Sequence, residues 1–146
     1  MTHDHPQRIA RLFPPGTLLK RTDAPPRPRK VETGNDPAYL AHVRQCPCLH
    51  CGHDPAGEAV HIRFASGVHG KASGMQKKPA DRWSLPLCAD DHRLARDSQH
   101  AGNEFLFWSK LGIPALLTCE RLYAQRDDLV AMRAVIFRTI SERGRP

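Results

Sequence analysis

The sequence predicts an α+β fold: a small zinc-stabilised module with flanking helices and a disordered basic N-terminal arm. Three observations predict it. "CLHC" sets Cys48 and Cys51 in knuckle spacing, and Cys88 follows in a similar turn-like setting. Two short strand-like runs lie between these cysteines, and the last third repeats apolar residues at helical spacing.

Residues 1–35, with "PPG" and "APPRPRK", read as an extended, flexible arm. "DPAYLAHVRQ" reads as a short helix, with Asp36 as cap, Pro37 at the first position, and Tyr39, Leu40 and Val43 on one face. Pro47 ends it. Glu58 to Phe64 fits a strand, and "RWSLPLC", residues 82–88, fits a second one that Pro86 confines to an edge or a strand end. The glycine- and lysine-rich loop between them is polar. A helix is expected from Asp90 to Arg96. "NEFLFWSKLG" closes on Gly112, a natural C-terminal cap, and "IPALLTCERLYAQ" starts with Pro114 near its first turn. In "DDLVAMRAVIFRTISERG", Leu129, Met132, Ile136 and Ile140 form one stripe. The domains expected are the arm at 1–35, the zinc-knuckle module at 36–112 and the C-terminal helices at 113–146.

A chain of 146 residues has room for one modest core. No apolar run reaches the roughly 18 residues of a membrane span, and the N-terminus lacks the apolar stretch of a secretory signal. A cytoplasmic location follows as the expectation, where cysteines stay reduced. The five cysteines therefore read as metal ligands and buried spares. The net charge of +7 points to a polyanionic partner and sits mostly in the arm, where residues 1–47 carry eight Lys and Arg against four acids.

Cys48, Cys51 and Cys88 supply three thiolates for one zinc ion. The fourth ligand is to come from Asp91, His92, His53 or water, because structural zinc takes four. Asp91 stands three residues after Cys88, the spacing of a second knuckle. A redox reading of "CLHC" would need a βαβ context, which is missing. Cys46 and Cys119 read as buried structural residues, and Trp83 and Trp108 as core anchors. His61 lies on the first strand with Arg63 on the same face, while His92 and His100 follow the second knuckle. Histidines so placed suit phosphodiester cleavage: one takes a proton from water, and others hold a cation that stabilises the phosphate charge.

"DPAYLAHVRQCPCLHCG", "AVHIR", "KKPADRWSLPLCADDH" and "QHAGNEFLFW" together resemble the HNH nucleases of the ββα-metal (His-Me finger) family. They are most similar to the phage and prophage branch of Ref-like recombination-enhancement nucleases. The resemblance covers roughly residues 36–112. It implies that the zinc-knuckle module is a ββα-metal (HNH) module and that His61 is the general base, with Asp81 or a neighbour in "ADRW" orienting it. It further implies a catalytic metal (Mg2+, Mn2+ or Zn2+) at His92 and His100. Structural zinc (Zn2+) then falls to Cys48, Cys51 and Cys88, with Asp91 as its fourth ligand. DNA is the implied partner, its phosphates contacted by Arg63, Lys71, Lys77, Lys78 and Arg82.

The sequence departs from the family's pattern at three places. Val60 stands where many members put a metal-binding His or Asp. Asp91 replaces a Cys or His, and Arg96 fills the place four residues after His92 that commonly holds the second metal histidine. On one continuous helix His92 and His100 would be about 12 Å apart along the axis. Either the chain breaks near "RDSQ", where Asp97 and Ser98 are good breaking residues, or only one of the two binds. The implied activity is a metal-dependent DNA endonuclease of weak sequence specificity. The alternative is a non-catalytic zinc-ribbon-like nucleic-acid-binding module, with no membrane partner in either case.

Overall fold

The computed structural model describes residues 34–72 and 78–143. Residues 1–33 of the expected arm, and Lys77 in the loop, lie outside the described residues.

The first helix, α1 (Pro37–Arg44), starts where the sequence predicts. Asp36 Oδ1 accepts the Tyr39 amide at 3.0 Å, and Pro37 occupies the first turn. Tyr39, Leu40 and Val43 turn inward. After Pro47 the chain enters the cysteine loop. There the Cys48 amide donates to the His53 carbonyl (2.8 Å), and the Gly52 amide to that of Cys48 (2.9 Å). Gly52 has a φ of 77°, a left-handed turn open to glycine at little cost.

Strands β1 (Glu58–His61) and β2 (Ser84–Leu87) pair antiparallel, Glu58 opposite Leu87 and His61 opposite Ser84. Both are shorter than the expected 58–64 and 82–88. Pro86 sits inside β2, which is tolerated because each strand of a two-stranded sheet is an edge. Its carbonyl accepts the Leu49 amide (3.1 Å), tying the cysteine loop to the sheet. β2 is buried along its whole length.

The helix expected from Asp90 to Arg96 is replaced by a shorter, wider element. A π-helical turn, Asp90–Leu94, ends at Ala95, whose ψ of 155° is extended. A 3₁₀ turn, Gln99–Ala101, follows Ser98. Then come α2 (Glu104–Lys110), capped by Asn103, α3 (Ala115–Ala124), entered through Pro114, and α4 (Leu129–Glu142), capped by Asp128. Gly112, at φ 66°, follows α2 as predicted.

One core joins these elements. Val43, Leu49, Val60, Ile62, Leu85 and Leu87 pack in the same cluster as Trp108 of α2, Leu122 of α3, and Met132 and Ile136 of α4. The C-terminal helices thus share the core of the cysteine-bearing module. Cys46, Cys119, Trp83 and Trp108 are buried within it, in line with their structural reading. Emptying a core leucine such as Leu85 to alanine would cost about 2–5 kcal/mol.

Candidate functional site

The cysteine loop and the turn after β2 bring Cys48, Cys51, Cys88 and Asp91 together, one ligand atom from each lying within 4.8 Å of the others. The Sγ atoms of Cys51 and Cys88 are 3.6 Å apart, and Asp91 Oδ2 is 3.2 Å from Cys48 Sγ and 3.1 Å from Cys88 Sγ. A tetrahedral zinc with bonds of ~2.3 Å to sulfur and ~2.0 Å to oxygen has edges near ~3.8 and ~3.5 Å. The cluster is close to that size and could hold a metal ion. Burial pushes all three thiols above their ordinary pKa. Burial also works to raise Asp91, but hydrogen bonds from Cys51, Cys88, His50 and Cys48 outweigh it and hold the carboxyl well below the usual range. A divalent cation at the centre would favour thiolates.

His50 is a residue that sequence reasoning missed. Its Nδ1 lies 2.6 Å from Asp91 Oδ1, so that oxygen is occupied from behind while Oδ2 faces the sulfurs. Such outer partners orient the ligands of metal sites. Of the alternatives for the fourth ligand, Asp91 joins the cysteines; His53 and His92 do not.

His92 turns away from the cysteines. The break at Ala95 and the 3₁₀ turn fold the chain back, so that His92 Nε2 and His100 Nε2 stand 3.0 Å apart with their rings nearly perpendicular. With metal–nitrogen bonds of ~2.1 Å that separation subtends about 90°, the cis angle of an octahedral ion. His92 Nδ1 makes a very short hydrogen bond to Glu58 Oε2. Arg93 grips the other oxygen of Glu58, with Nη2 at 2.9 Å and Nε at 3.2 Å. Arg93, and then His92, hold the Glu58 carboxyl below its ordinary pKa despite partial burial. An ionised Glu58 accepts a hydrogen bond from Nδ1–H, which leaves the lone pair of His92 on Nε2. Burial first, and His92 second, lower the pKa of His100. Sequence reasoning missed Glu58 too; it lies on the same face of β1 as the core residue Val60.

His61 belongs to a separate group. Its Nε2 is 2.8 Å from Asp81 Oδ1, Lys78 Nζ is 2.8 Å from the same oxygen, and Asp81 Oδ2 accepts the Asp36 amide at 2.8 Å. Burial pushes the Asp81 pKa up, but Lys78, His61 and the Asp36 amide together bring it below the ordinary value. Nε2 of His61 therefore carries a proton toward a carboxylate, and Nδ1 is left to accept one. Among the described residues, no hydrogen bond or ion pair links His61 to His92 or His100. Alternation along β1 sends Glu58 and His61 to opposite faces.

The basic residues divide. Arg63 is exposed and lines a cleft of about 240 Å³ with Gln99, His100, Gly102 and Glu104. Lys78 is engaged with Asp81, and Arg82 lies over the ring of Trp83 at 4.8 Å. Lys71 corrects an expectation. It is not an exposed phosphate contact but is 5% exposed, its ammonium donating to the carbonyls of Phe64 (2.7 Å) and Arg63 (3.3 Å). Lys77 lies outside the described residues.

Fold and site together define a small mixed α+β domain with a two-stranded sheet and a Cys3Asp cluster that could hold a metal ion. Residues 24–110 match the family described as "Protein of unknown function (DUF968)", and the chain belongs to that family. No curated protein and no solved structure matches the chain. Among the described residues, no helix is long and apolar enough to cross a membrane.

Proposed function

We propose that the protein is a metal-dependent DNA endonuclease of the HNH type, with zinc at Cys48, Cys51, Cys88 and Asp91 stabilising a core this small. The observation that carries the reading is the meeting of His92 and His100 through Nε2, with Glu58 behind His92. A divalent cation held by these two imidazoles would supply positive charge to a phosphodiester and its leaving oxygen. His61 accepts a proton from water at Nδ1. Asp81, itself held by Lys78, fixes the ring and stabilises the imidazolium that forms. Arg63, beside His100, holds the strand by its phosphates, so cleavage depends little on base sequence.

The test is nicking of supercoiled plasmid by metal-stripped protein, with magnesium, manganese or zinc restored. Cutting is expected to need the metal and to fall about 10²–10⁴-fold in His61→Ala, the range of a lost general base. Protein that keeps its zinc and binds DNA but cuts in no metal would refute the enzyme. The second reading, a non-catalytic zinc-ribbon-like DNA-binding module, would then stand. Val60, buried in the core where many members of the resembled family place a metal ligand, favours that reading.

A further inference from the structure

The loop that carries Cys48 and Cys51 is held from the far end of the chain. Arg143, the residue on which α4 ends, reaches across to it, and its Nη1 donates to the carbonyls of Leu49 and His50. These are the two residues between the knuckle cysteines, 94 and 93 positions back along the chain. Neighbouring backbone groups of the loop are engaged elsewhere: the Cys48 amide with His53, the Leu49 amide with Pro86 of β2, and the Gly52 amide with Cys48. The amides of Cys51, Cys88 and His50 donate instead to the sulfur of Cys48.

Two of those three amides lie directly behind the carbonyls that Arg143 holds. The Leu49 carbonyl and the His50 amide are the two ends of one planar peptide group, and the His50 carbonyl and the Cys51 amide are the ends of the next. In a trans peptide the C=O and N–H point in opposite directions. A cation on the oxygen therefore fixes the plane and polarises the N–H on the other side, where the acceptor here is the Cys48 sulfur. His50 provides a second route. With its carbonyl held, its ring stays behind Asp91, Nδ1 lying 2.6 Å from Oδ1. One guanidinium thus bears on two of the four residues of the cluster through the groups that lie between.

Arg133, on α4 itself, holds the same loop differently. It donates to the Gln45 carbonyl at 2.6 Å and forms a forked pair with Asp54. The amide behind the Gln45 carbonyl is that of Cys46, and it goes to the Val43 carbonyl in α1. Arg133 anchors the two ends of the loop, whereas Arg143 acts on the peptides that face a sulfur.

The structure assigns to Arg143 the role of a positioning residue for a metal ion at the cysteine cluster: it aims and polarises two amides that donate to Cys48 and steadies His50 behind Asp91. The inference rests on the reading of that cluster as a zinc site and names a distant residue that tunes it.

The experiment adds cobalt(II) to the zinc-free full chain, follows the thiolate-to-cobalt charge-transfer absorption, and measures zinc(II) affinity by competition with a chromophoric chelator. That absorption arises only from sulfur-bound metal, so an ion at the histidine pair does not contribute. In Arg143→Gln the amides on Cys48 lose their polarising cation and the sulfur becomes more electron-rich. The band is expected to move to longer wavelength, and zinc affinity to fall about 10-fold, the lower end of what outer partners of metal ligands contribute. Arg143→Lys, which keeps the charge without the planar fork, should lie between the two. Arg133→Gln is expected to lower Tm and leave the band in place. An unshifted band in Arg143→Gln overturns the inference even where zinc affinity falls, because looser anchoring alone would account for that loss. An equal shift in Arg133→Gln overturns it too, and in both cases the zinc site stands. A wild-type chain that gives no thiolate band overturns the zinc site and the inference together. Should the glutamine variant fail to fold, the lysine variant carries the test, a shifted band against wild type being the expected result and an unshifted one the refutation.

Discussion

Glu58→Ala tests how the histidine pair is held. The Glu58 carboxylate accepts a hydrogen bond from the Nδ1–H of His92 and so presents the other nitrogen to His100, 3.0 Å away. Removing it frees the ring to rotate and to exchange tautomers, and it removes a negative charge that would favour a cation held by the two imidazoles. Loss of such an outer carboxylate typically weakens metal binding about 10- to 100-fold, equivalent to about 1.4–2.7 kcal/mol. Glu58→Gln, whose amide oxygen can still accept from Nδ1 without the charge, should fall between wild type and alanine. Arg93→Gln leaves the Glu58–His92 bond in place and should have the smallest effect. The assay is a manganese titration followed by electron paramagnetic resonance, on protein whose cysteine cluster has first been filled with zinc. Manganese affinity within twofold of wild type in Glu58→Ala, at unchanged zinc content, would refute the reasoning.

Four further outcomes are expected. Cys88→Ser should lose one equivalent of bound zinc by elemental analysis and lower Tm, because the turn carrying Asp91 and His92 loses its anchor to the cysteine loop. Lys71→Met should lower stability to urea by about 1–3 kcal/mol, since two carbonyls lose a charged donor; it should leave the salt dependence of DNA binding unchanged. Arg63→Ala should instead reduce that slope by about 0.9, one phosphate contact. The folded pKa of Asp81 lies below its unfolded value of about 4, so its contribution to stability is whole above about pH 4 and fades as pH falls through the lower folded value. Asp81→Asn should flatten the acid limb of a Tm-against-pH curve; an unaltered limb would show that this carboxylate is not the group responsible.

Features of the fold that rest on neighbours in sequence could be read from the sequence. Asp36 caps the first helix by accepting an amide three residues on, as expected, and Gly112 closes α2 through its own backbone freedom; Asn103 and Asp128 cap α2 and α4 in the same local way, though the sequence reading did not single them out. The knuckle cysteines and Asp91 were legible for the same reason: metal ligands recur at short, fixed spacing. His50 and Glu58 were not, because each meets its partner across a long stretch of chain, His50 at Asp91 and Glu58 at His92, and neither pairing leaves a local pattern. Lys71 misled because a lysine among glycines reads as solvated. Its burial follows from the loop folding back on Arg63 and Phe64, which composition does not encode. The expected helix after β2 failed at Ala95 because the chain there turns to bring His100 beside His92, a tertiary demand that overrides helix propensity.

Asp91 and His92 are consecutive residues that face two different centres, one toward the cysteines and the other toward His100. A single peptide group is therefore common to both. Thermodynamic linkage makes any preference transmitted through it mutual: if an ion at one centre steadies this turn and so strengthens binding at the other, the second ion must strengthen the first by the same factor. The protein would then respond to its metals as a correlated pair, with half-filled molecules scarcer than independent sites would produce.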